Sequence, residues 1–302
     1  METILITGID GFIGNHLFNY LRGKYKIIGI DRHNRHNFKN SKNFKFFKRD
    51  INSYLEDING EIYAVIHLAA RPGVRGSHKN FKDVCMDNIL ATQKIIRESG
   101  ERWKPKKLLI ASSSSVYGDT SEISNEFDGL KPKSPYAVSK ITCENLLVSY
   151  KNSGYLDDTE IASLRFFTVY GPEQREDLAI QRFISNILQN KPITIFGDGK
   201  QSRDFTYVKD VCKAISLMLE KEIPSEVYNI GSGNPISLID VIFDICTLTK
   251  KTAIIKFENP IPFDVKLTHA NIDLMKNDFR WKPETKWIDG LKKQIEWQKG
   301  EQ

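Results

Sequence analysis

The chain has 302 residues, which is enough for one large domain or two closely packed ones. Apolar residues make up 40% and charged residues 27%, as in globular proteins, and no run of about 18 apolar residues exists, so a membrane span is excluded. The net charge of +6 is densest in segment 32–49, which we interpret as a solvated surface loop because no nucleic-acid-binding motif accompanies it. We therefore expect neither a nucleic-acid nor a membrane partner.

The cysteines are widely scattered and have no CxxC spacing. Such a pattern favours neither a disulfide framework nor a zinc site, so we expect no metal. Residues 1–6 lack a basic region followed by a long apolar run, which is the signal-peptide pattern. We expect the protein to act in a reducing cytoplasm.

A short apolar run at 3–7 leads into the glycine-rich stretch 8–14, and a helical pattern follows. In such a strand, turn and helix, Gly8 permits the tight turn and Gly11 lets the backbone approach a pyrophosphate. Gly14 lets the helix pack closely on the strand, and the helix N-terminus attracts phosphates. The stretch predicts a dinucleotide site whose contacts include the first helical residues Phe12 and Ile13.

A second strand, 26–30, ends at Asp31, close to the spacing expected for a carboxylate that binds the adenine ribose hydroxyls. A carboxylate there would repel a 2′-phosphate and therefore favours NAD over NADP. Arg32 and Arg35 leave the alternative open, because either could instead receive such a phosphate.

Strands at 44–47, 63–68 and 107–112 alternate with helices around 83–99 and 136–150, which predicts an α/β protein with a doubly wound, parallel sheet. Ligands of such folds bind outside the carboxyl ends of the strands. Ala69 and Ala70 leave room there for a cofactor, and the serine run 112–118 places hydroxyls in the same crevice. The remaining residues that we assign to the cofactor are Asp50, Ile51, Leu68 and Asn88.

Ser134 and Pro135 predict the start of a helix. The side chain of Ser134 can accept a hydrogen bond from a free backbone N–H group of the first turn, and Pro135 suits the first helical position because it has no N–H group. On this helix Tyr136 and Lys140 lie one turn apart on one face, and a nearby ammonium favours the phenolate form that a base requires. The alternative is a solvent-facing Tyr and Lys. The helix should end near Gly154.

After a strand at 161–167 we predict a turn at 168–172, a helix that holds Arg175 and Arg182, and further elements at 193–196, 237–248, 253–257 and 287–298. We interpret residues 1–167 as a Rossmann domain and 168–302 as a smaller, partly interleaved substrate domain. The arginines of the second half, including Arg203, can clamp a diphosphate or a carboxylate, although each is also suited to a surface ion pair.

These motifs together resemble the extended short-chain dehydrogenase/reductase proteins that act on nucleotide sugars, over nearly the whole chain. The motifs are the loop 7–14, residues 67–70, the run 112–118, Tyr136 with Lys140, residues 165–172 and residues 203–208. The resemblance implies that Tyr136 is the base, that Ser113 with Ser114 nearby bonds the same sugar hydroxyl, and that the protein is a homodimer. Dehydratases of that family carry Asp-Glu where this chain has Ser114 and Ser115, and decarboxylases typically carry Glu at the position of Ser115.

The resemblance therefore implies 4-epimerisation of a UDP-sugar through a 4-keto intermediate, with hydride passing to tightly bound NAD and back. It is strongest to UDP-glucuronate 4-epimerases, whose counterparts of Thr168 and Arg175 hold the sugar carboxylate. Residue Glu173 stands where an Arg or another residue is usual, and either weakens this anion site or pairs with Arg175. Phe263-Asp264-Val265 replaces a Gly-Asp-Val pattern at a uridine diphosphate contact. Our predicted substrate contacts are Arg75, Ser113, Thr168, Arg175, Arg203 and Asp264. Epimerisation of UDP-glucose or UDP-N-acetylglucosamine and decarboxylation of UDP-glucuronate remain alternatives, as does an NAD-binding regulator without catalytic activity.

Overall fold

The computed structural model describes residues 1–262 and 264–300. Its centre is a seven-stranded sheet in the order β10-β6-β5-β4-β1-β2-β3, in which every pair of neighbours is parallel. The strands of this sheet are β1 (Thr3–Thr7), β2 (Lys26–Asp31), β3 (Phe44–Lys48), β4 (Ala64–His67), β5 (Lys107–Ser113), β6 (Glu160–Phe166) and β10 (Val227–Ile230). The prediction of a doubly wound parallel sheet is confirmed.

Helices cover both faces of this sheet. They are α1 (Phe12–Leu21), α2 (Val74–Ser77), α3 (Phe81–Val84), α4 (Ala91–Glu98), α5 (Pro135–Asn152), α7 (Val208–Glu220) and α9 (Asp273–Phe279). One core contains Leu17 and Met218, and the other contains Ile95 and Leu147. Because each face is buried, the central strands are apolar in nearly every position rather than alternating. Two π-helical segments, Cys85–Leu90 and Ser99–Trp103, divide the helix predicted at 83–99.

A smaller region packs beside the carboxyl end of the sheet. It contains a three-stranded sheet, β11-β9-β7, and a two-stranded parallel sheet, β12-β8. Its elements are β7 (Thr168–Tyr170), α6 (Ala179–Leu188), β8 (Pro192–Phe196), β9 (Ser202–Tyr207), β11 (Pro235–Ser237), α8 (Leu238–Thr249), β12 (Ile254–Glu258) and α10 (Trp287–Gly300). They share a third core, which includes Phe183, Ile193 and Ile295.

Three local predictions were wrong. The stretch 168–172 is not only a turn, because β7 pairs in parallel with β9. Arg175 precedes α6 rather than lying in it, whereas Arg182 is within that helix. The sequence analysis also assigned no element to α7 or β10, which return the chain to the first sheet. Strands of three or four residues are too short to show a periodic pattern.

None of the helices in the described residues is long and apolar enough to cross a bilayer.

Candidate active site

A cavity of about 980 Å³ lies outside the carboxyl ends of β1, β4 and β5 and extends to the smaller region. Most of the predicted site residues line it: Gly8, Gly11, Phe12, Ile13, Gly14, Asp31, Ile51, Leu68, Ala69, Ala70, Arg75, Ser113, Ser114, Tyr136, Lys140, Thr168, Arg175, Arg203 and Asp264. Asp50 and Asn88 are not among its lining residues. The fold therefore brings the predicted cofactor, catalytic and substrate residues to one site.

In the glycine turn before α1, the backbone leaves no room for a side chain at Gly8 or Gly14. Gly8 has φ +70°, and a Cβ built on Gly14 would lie 2.1 Å from the carbonyl oxygen of Gly8. Gly11 precedes the first helical residue without any side-chain cap, so N–H groups of the first turn stay open toward the cavity. This cradle fits the pyrophosphate of a dinucleotide.

Asp31 lies where the second strand ends, at the edge of the same cavity. Its Oδ2 accepts a hydrogen bond from the backbone N–H of Asp10 at 3.0 Å, and its Oδ1 accepts one from that of His33 at 3.0 Å. The carboxylate is thus held in place for ribose hydroxyls.

Arg32 is not free to receive a 2′-phosphate. Its guanidinium bonds Asp87 at 2.8 Å and contacts Asp50 at 2.9 Å. The hydrogen bond from Arg32 to Asp87 raises the pKa of the arginine. Arg35 is largely exposed and lies 3.4 Å from Asp10. Of the two arginines that left NADP open, one is therefore already neutralised by carboxylates, which favours NAD.

The helix that carries the candidate base begins as the sequence predicts, with Ser134 Oγ accepting a hydrogen bond from Ala137 N at 3.1 Å. The Lys140 ammonium lies 5.9 Å from the centre of the Tyr136 ring and donates to the carbonyl oxygen of Ala111 at 2.7 Å. Lys140 is only 4% exposed. A buried cation is therefore fixed between the end of β5 and the tyrosine ring.

The serine run turns directly beside this pair. Ser113 ends β5 and caps a short 3₁₀ turn, Ser114–Tyr117, by accepting a hydrogen bond from Ser115 N at 3.2 Å. Its hydroxyl proton is left to donate toward the cavity. The hydroxyl oxygen of Ser115 is buried and has no partner among the described residues. The turn thus presents hydroxyls, and no carboxylate, where a dehydratase needs an acid and a base.

Asn88 is fully buried and supports the site without lining it. Its amide bonds the backbone N–H of Arg71 at 2.7 Å and the carbonyl of the same residue at 3.2 Å, and it donates to Ser139 Oγ at 3.0 Å. Asn88 thereby ties the loop after β4 to α5.

His67 lies beneath the site between Thr7 Oγ1 at 2.7 Å and Thr92 Oγ1 at 3.0 Å. Burial, together with the charge of Lys140, lowers the pKa of His67 to about 3. The imidazole is therefore neutral at physiological pH and acts as a structural hydrogen-bonding group.

The sequence analysis missed a buried ion pair behind the site. Glu144, one helical turn after Lys140, accepts two hydrogen bonds from the guanidinium of Arg165, at 3.0 and 2.7 Å. Ser112 also donates to Glu144, and Arg165 donates to Tyr117 at 2.9 Å. Burial raises the pKa of Tyr117 to about 12. The sequence did contain one signal for this ion pair: Glu144 lies four residues after Lys140, on the same helix as Tyr136.

At one end of the cavity, Arg203 donates to Asp264 Oδ1 at 2.5 Å, while Arg75 lies 3.8 Å from Asp264 Oδ2 and 4.8 Å from the ring centre of Phe196. Burial lowers the pKa of Arg203. Phe263, part of the altered pattern noted in the sequence, lies outside the described residues.

Arg175, which also lines the cavity, donates from Nε to Asp177 Oδ1 at 2.9 Å. Glu173 does not pair with Arg175, so that alternative was wrong. Its carboxylate instead accepts a hydrogen bond from Asn15 at 2.7 Å, on the side of α1.

Known proteins are similar to this chain over most of its length. A model of the NAD dependent epimerase/dehydratase family matches residues 4–231. A UDP-glucuronate 4-epimerase from Thermodesulfobacterium geofontis is 38% identical over 99% of this chain and 97% of its own length. The uncharacterized UDP-glucose epimerase YtcB from Bacillus subtilis is 38% identical over 97% of this chain and 96% of its own. A mutant UDP-glucuronic acid 4-epimerase from Bacillus cereus, solved with UDP-4-deoxy-4-fluoro-glucuronic acid and NAD, has a TM-score of 0.93 at 35% identity, over 99% of this chain and 100% of that chain.

Proposed function

The chain belongs to the NAD dependent epimerase/dehydratase family, and from this premise we propose that it interconverts two UDP-sugars that differ in configuration at C4. The observation that carries the proposal is the arrangement of Tyr136, Lys140 and Ser113 in one cavity with the glycine turn. The serine turn supplies no carboxylate for dehydration, so removal and return of hydrogen at C4 is the chemistry that these residues support.

In this reaction Tyr136 takes the proton of the 4-hydroxyl, and Lys140 stabilises the phenolate next to it. Ser113 donates a hydrogen bond to the same sugar oxygen and orients it. The glycine turn and Asp31 would hold NAD, which would supply the hydride chemistry at C4. The 4-keto sugar rotates within the cavity, so that its opposite face receives the hydride, and Tyr136 then gives the proton back. No net redox change results.

We propose UDP-glucuronate and UDP-galacturonate as the substrate pair. Arg175 and Thr168 both line the cavity, and the guanidinium fork matches a carboxylate. A 4-keto uronate is a β-keto acid. It loses CO₂ when the bond from the sugar ring to the carboxylate stands perpendicular to the plane of the 4-keto group. Two contacts on the carboxylate would hold it away from that geometry, so that epimerisation prevails over decarboxylation.

Neutral UDP-glucose is the second candidate, because Arg175 is bonded to Asp177 in this structure and a relative at 38% identity is named as a UDP-glucose epimerase. Proton NMR of the purified protein with each sugar nucleotide and no added cofactor separates the candidates. We expect galacturonate signals to grow to an equilibrium with UDP-glucuronate. Turnover of neutral sugars alone would contradict the uronate assignment, and a pentose product would identify a decarboxylase.

Arg175→Ala should lower kcat/KM for UDP-glucuronate about 100-fold, because a charge-assisted hydrogen bond to the carboxylate is lost. Part of the remaining flux should appear as CO₂ and a UDP-pentose. Asp177→Asn is the matched control, since it frees Arg175 and leaves its charge. We measure the product ratio by NMR. An Arg175→Ala protein with unchanged kinetics on the uronate would refute the role of Arg175 as anchor.

We also propose a homodimer. Phe81, Met86, Leu90 and Val138 are 46%, 41%, 47% and 43% exposed on neighbouring helical elements, and a large apolar face in contact with water is unfavourable. A second copy of the same face would cover it. We expect a dimer in analytical ultracentrifugation, and a monomer for Leu90→Glu with Val138→Glu. A monomeric wild-type protein at micromolar concentration would refute this proposal.

A further inference from the structure

The segment 171–178, which we call the arginine loop, joins β7 to α6 and carries Arg175. Buried glutamines fix it from the side of α10. Gln294 accepts a hydrogen bond from Gly171 N at 3.0 Å and donates to Gln174 Oε1 at 2.8 Å. Gln174 in turn donates to the carbonyl of Val169 at 2.8 Å. These amides hold the start of the loop and its centre at Gln174, but the hydrogen bonds described do not reach the carboxylate of Glu173.

That carboxylate belongs to Glu173, whose backbone has φ +65°. A non-glycine residue in this left-handed region costs about 1 kcal/mol and persists only where its surroundings hold it. Here Glu173 Oε2 accepts a hydrogen bond from Asn15 Nδ2 at 2.7 Å, and the carbonyl of Pro172 lies 2.9 Å from His16 Nε2. Both partners are on α1, the helix that follows the glycine turn, so the loop rests on the cofactor side of the cavity.

A histidine extends this contact to the glycine turn itself. His36 Nε2 lies 3.3 Å from Glu173 Oε2, and His36 Nδ1 lies 2.8 Å from Asp10 Oδ1. Asp10 is fully buried immediately before Gly11, and its carboxylate also accepts the backbone N–H groups of Arg35 and His36. The link therefore joins the arginine loop to the turn that forms the pyrophosphate cradle.

Both ring nitrogens of His36 face carboxylate oxygens. The other groups around it are the Arg35 guanidinium, 3.4 Å from Asp10, and the ring of Phe38, whose centre lies 5.8 Å away. Only the imidazolium can donate to both carboxylates, since a neutral imidazole has a single N–H. His36 therefore bridges Glu173 of the arginine loop and Asp10 of the glycine turn.

We propose that Glu173 is a positioning residue. Through its contacts with Asn15 and His36 it holds the arginine loop against α1 and the glycine turn, and so places Arg175 for the sugar carboxylate. This inference rests on the proposed function for the identity of the sugar. Substrate binding by Arg175 then depends on the contacts of Glu173 with Asn15 and His36. The glutamines fix the loop from the side of α10, whereas the Glu173 contacts fix it from the side of α1, next to Arg175.

The test compares Glu173→Gln, Glu173→Gly and His36→Gln with the wild-type holoenzyme. Glycine adopts a positive φ without strain, so Glu173→Gly removes both contacts and keeps the backbone conformation. We expect the KM for UDP-glucuronate to rise about tenfold in Glu173→Gly and less in Glu173→Gln, with kcat within about twofold. The Kd of UDP, which lacks the sugar, should not change. The KM of His36→Gln should also exceed that of the wild-type protein.

A Glu173→Gly protein with wild-type KM would overturn the inference, as would an equal loss of UDP affinity, which would indicate a general structural defect. If the wild-type protein turns over only a neutral sugar nucleotide, the uronate proposal fails separately. The same comparison with that neutral substrate then supports the link if Glu173→Gly raises its KM without changing the Kd of UDP, and overturns the link if that KM is unchanged.

Discussion

Tyr136→Phe should lower kcat about 1,000-fold, because in the proposed mechanism it removes the phenolic oxygen that takes the proton of the sugar hydroxyl and leaves the ring in place. The Lys140 ammonium keeps its hydrogen bond to the carbonyl of Ala111, so the fold and the NAD site should be unaffected. We measure turnover by NMR, bound NAD by absorbance after acid release, and UDP affinity by calorimetry.

Ser113→Ala is the matched control for Tyr136→Phe. It removes a hydrogen-bond donor but leaves the base, so its loss of kcat should be smaller, about 10- to 100-fold. A Tyr136→Phe protein with full activity would exclude the tyrosine as the base. The alternative of a noncatalytic, NAD-binding role for the protein would then be favoured.

Glu144→Leu should lower the free energy of unfolding by about 3–5 kcal/mol, because it leaves the Arg165 guanidinium buried without its counter-ion. Arg165 is only 4% exposed, so little water can solvate its charge in the folded protein. The loss should be visible in urea denaturation followed by fluorescence.

The double variant Glu144→Leu/Arg165→Met should regain much of that stability, since two apolar groups of similar size replace the charges together. If the double variant were as unstable as Glu144→Leu, the loss would come from packing or from the bonds of Ser112 and Tyr117, and the ion-pair explanation would be wrong. Because α5 carries Tyr136, NAD retention should follow stability in this series.

Local chemistry made the first half of the chain predictable. The glycine turn, the apolar strands and the Ser134 cap each follow from the conformation or burial of a few neighbouring residues, and the family and fold that these motifs indicated are confirmed. The turn at 168–172 was wrong because β7 exists only through its pairing with β9, which is distant in sequence.

The candidate site shows the same division. Placing Tyr136 and Lys140 on one helical face needs only the helix period, whereas the partner of Glu173 could not be read from spacing. Its contacts with Asn15 and His36 span more than a hundred residues of sequence. The assignments of individual residues to cofactor and substrate remain proposals for the experiments above.

The position of β10 has a consequence for engineering this protein. This strand comes from the second half of the chain, yet it forms an edge of the first sheet beside β6, and α7 packs on α1. A fragment cut at residue 167 would leave β6 as an unpaired edge, a surface open to aggregation. Chimeras that exchange sugar specificity between relatives must therefore use at least two crossover points. Both α7 and β10 then come from the same parent as the seven-stranded sheet.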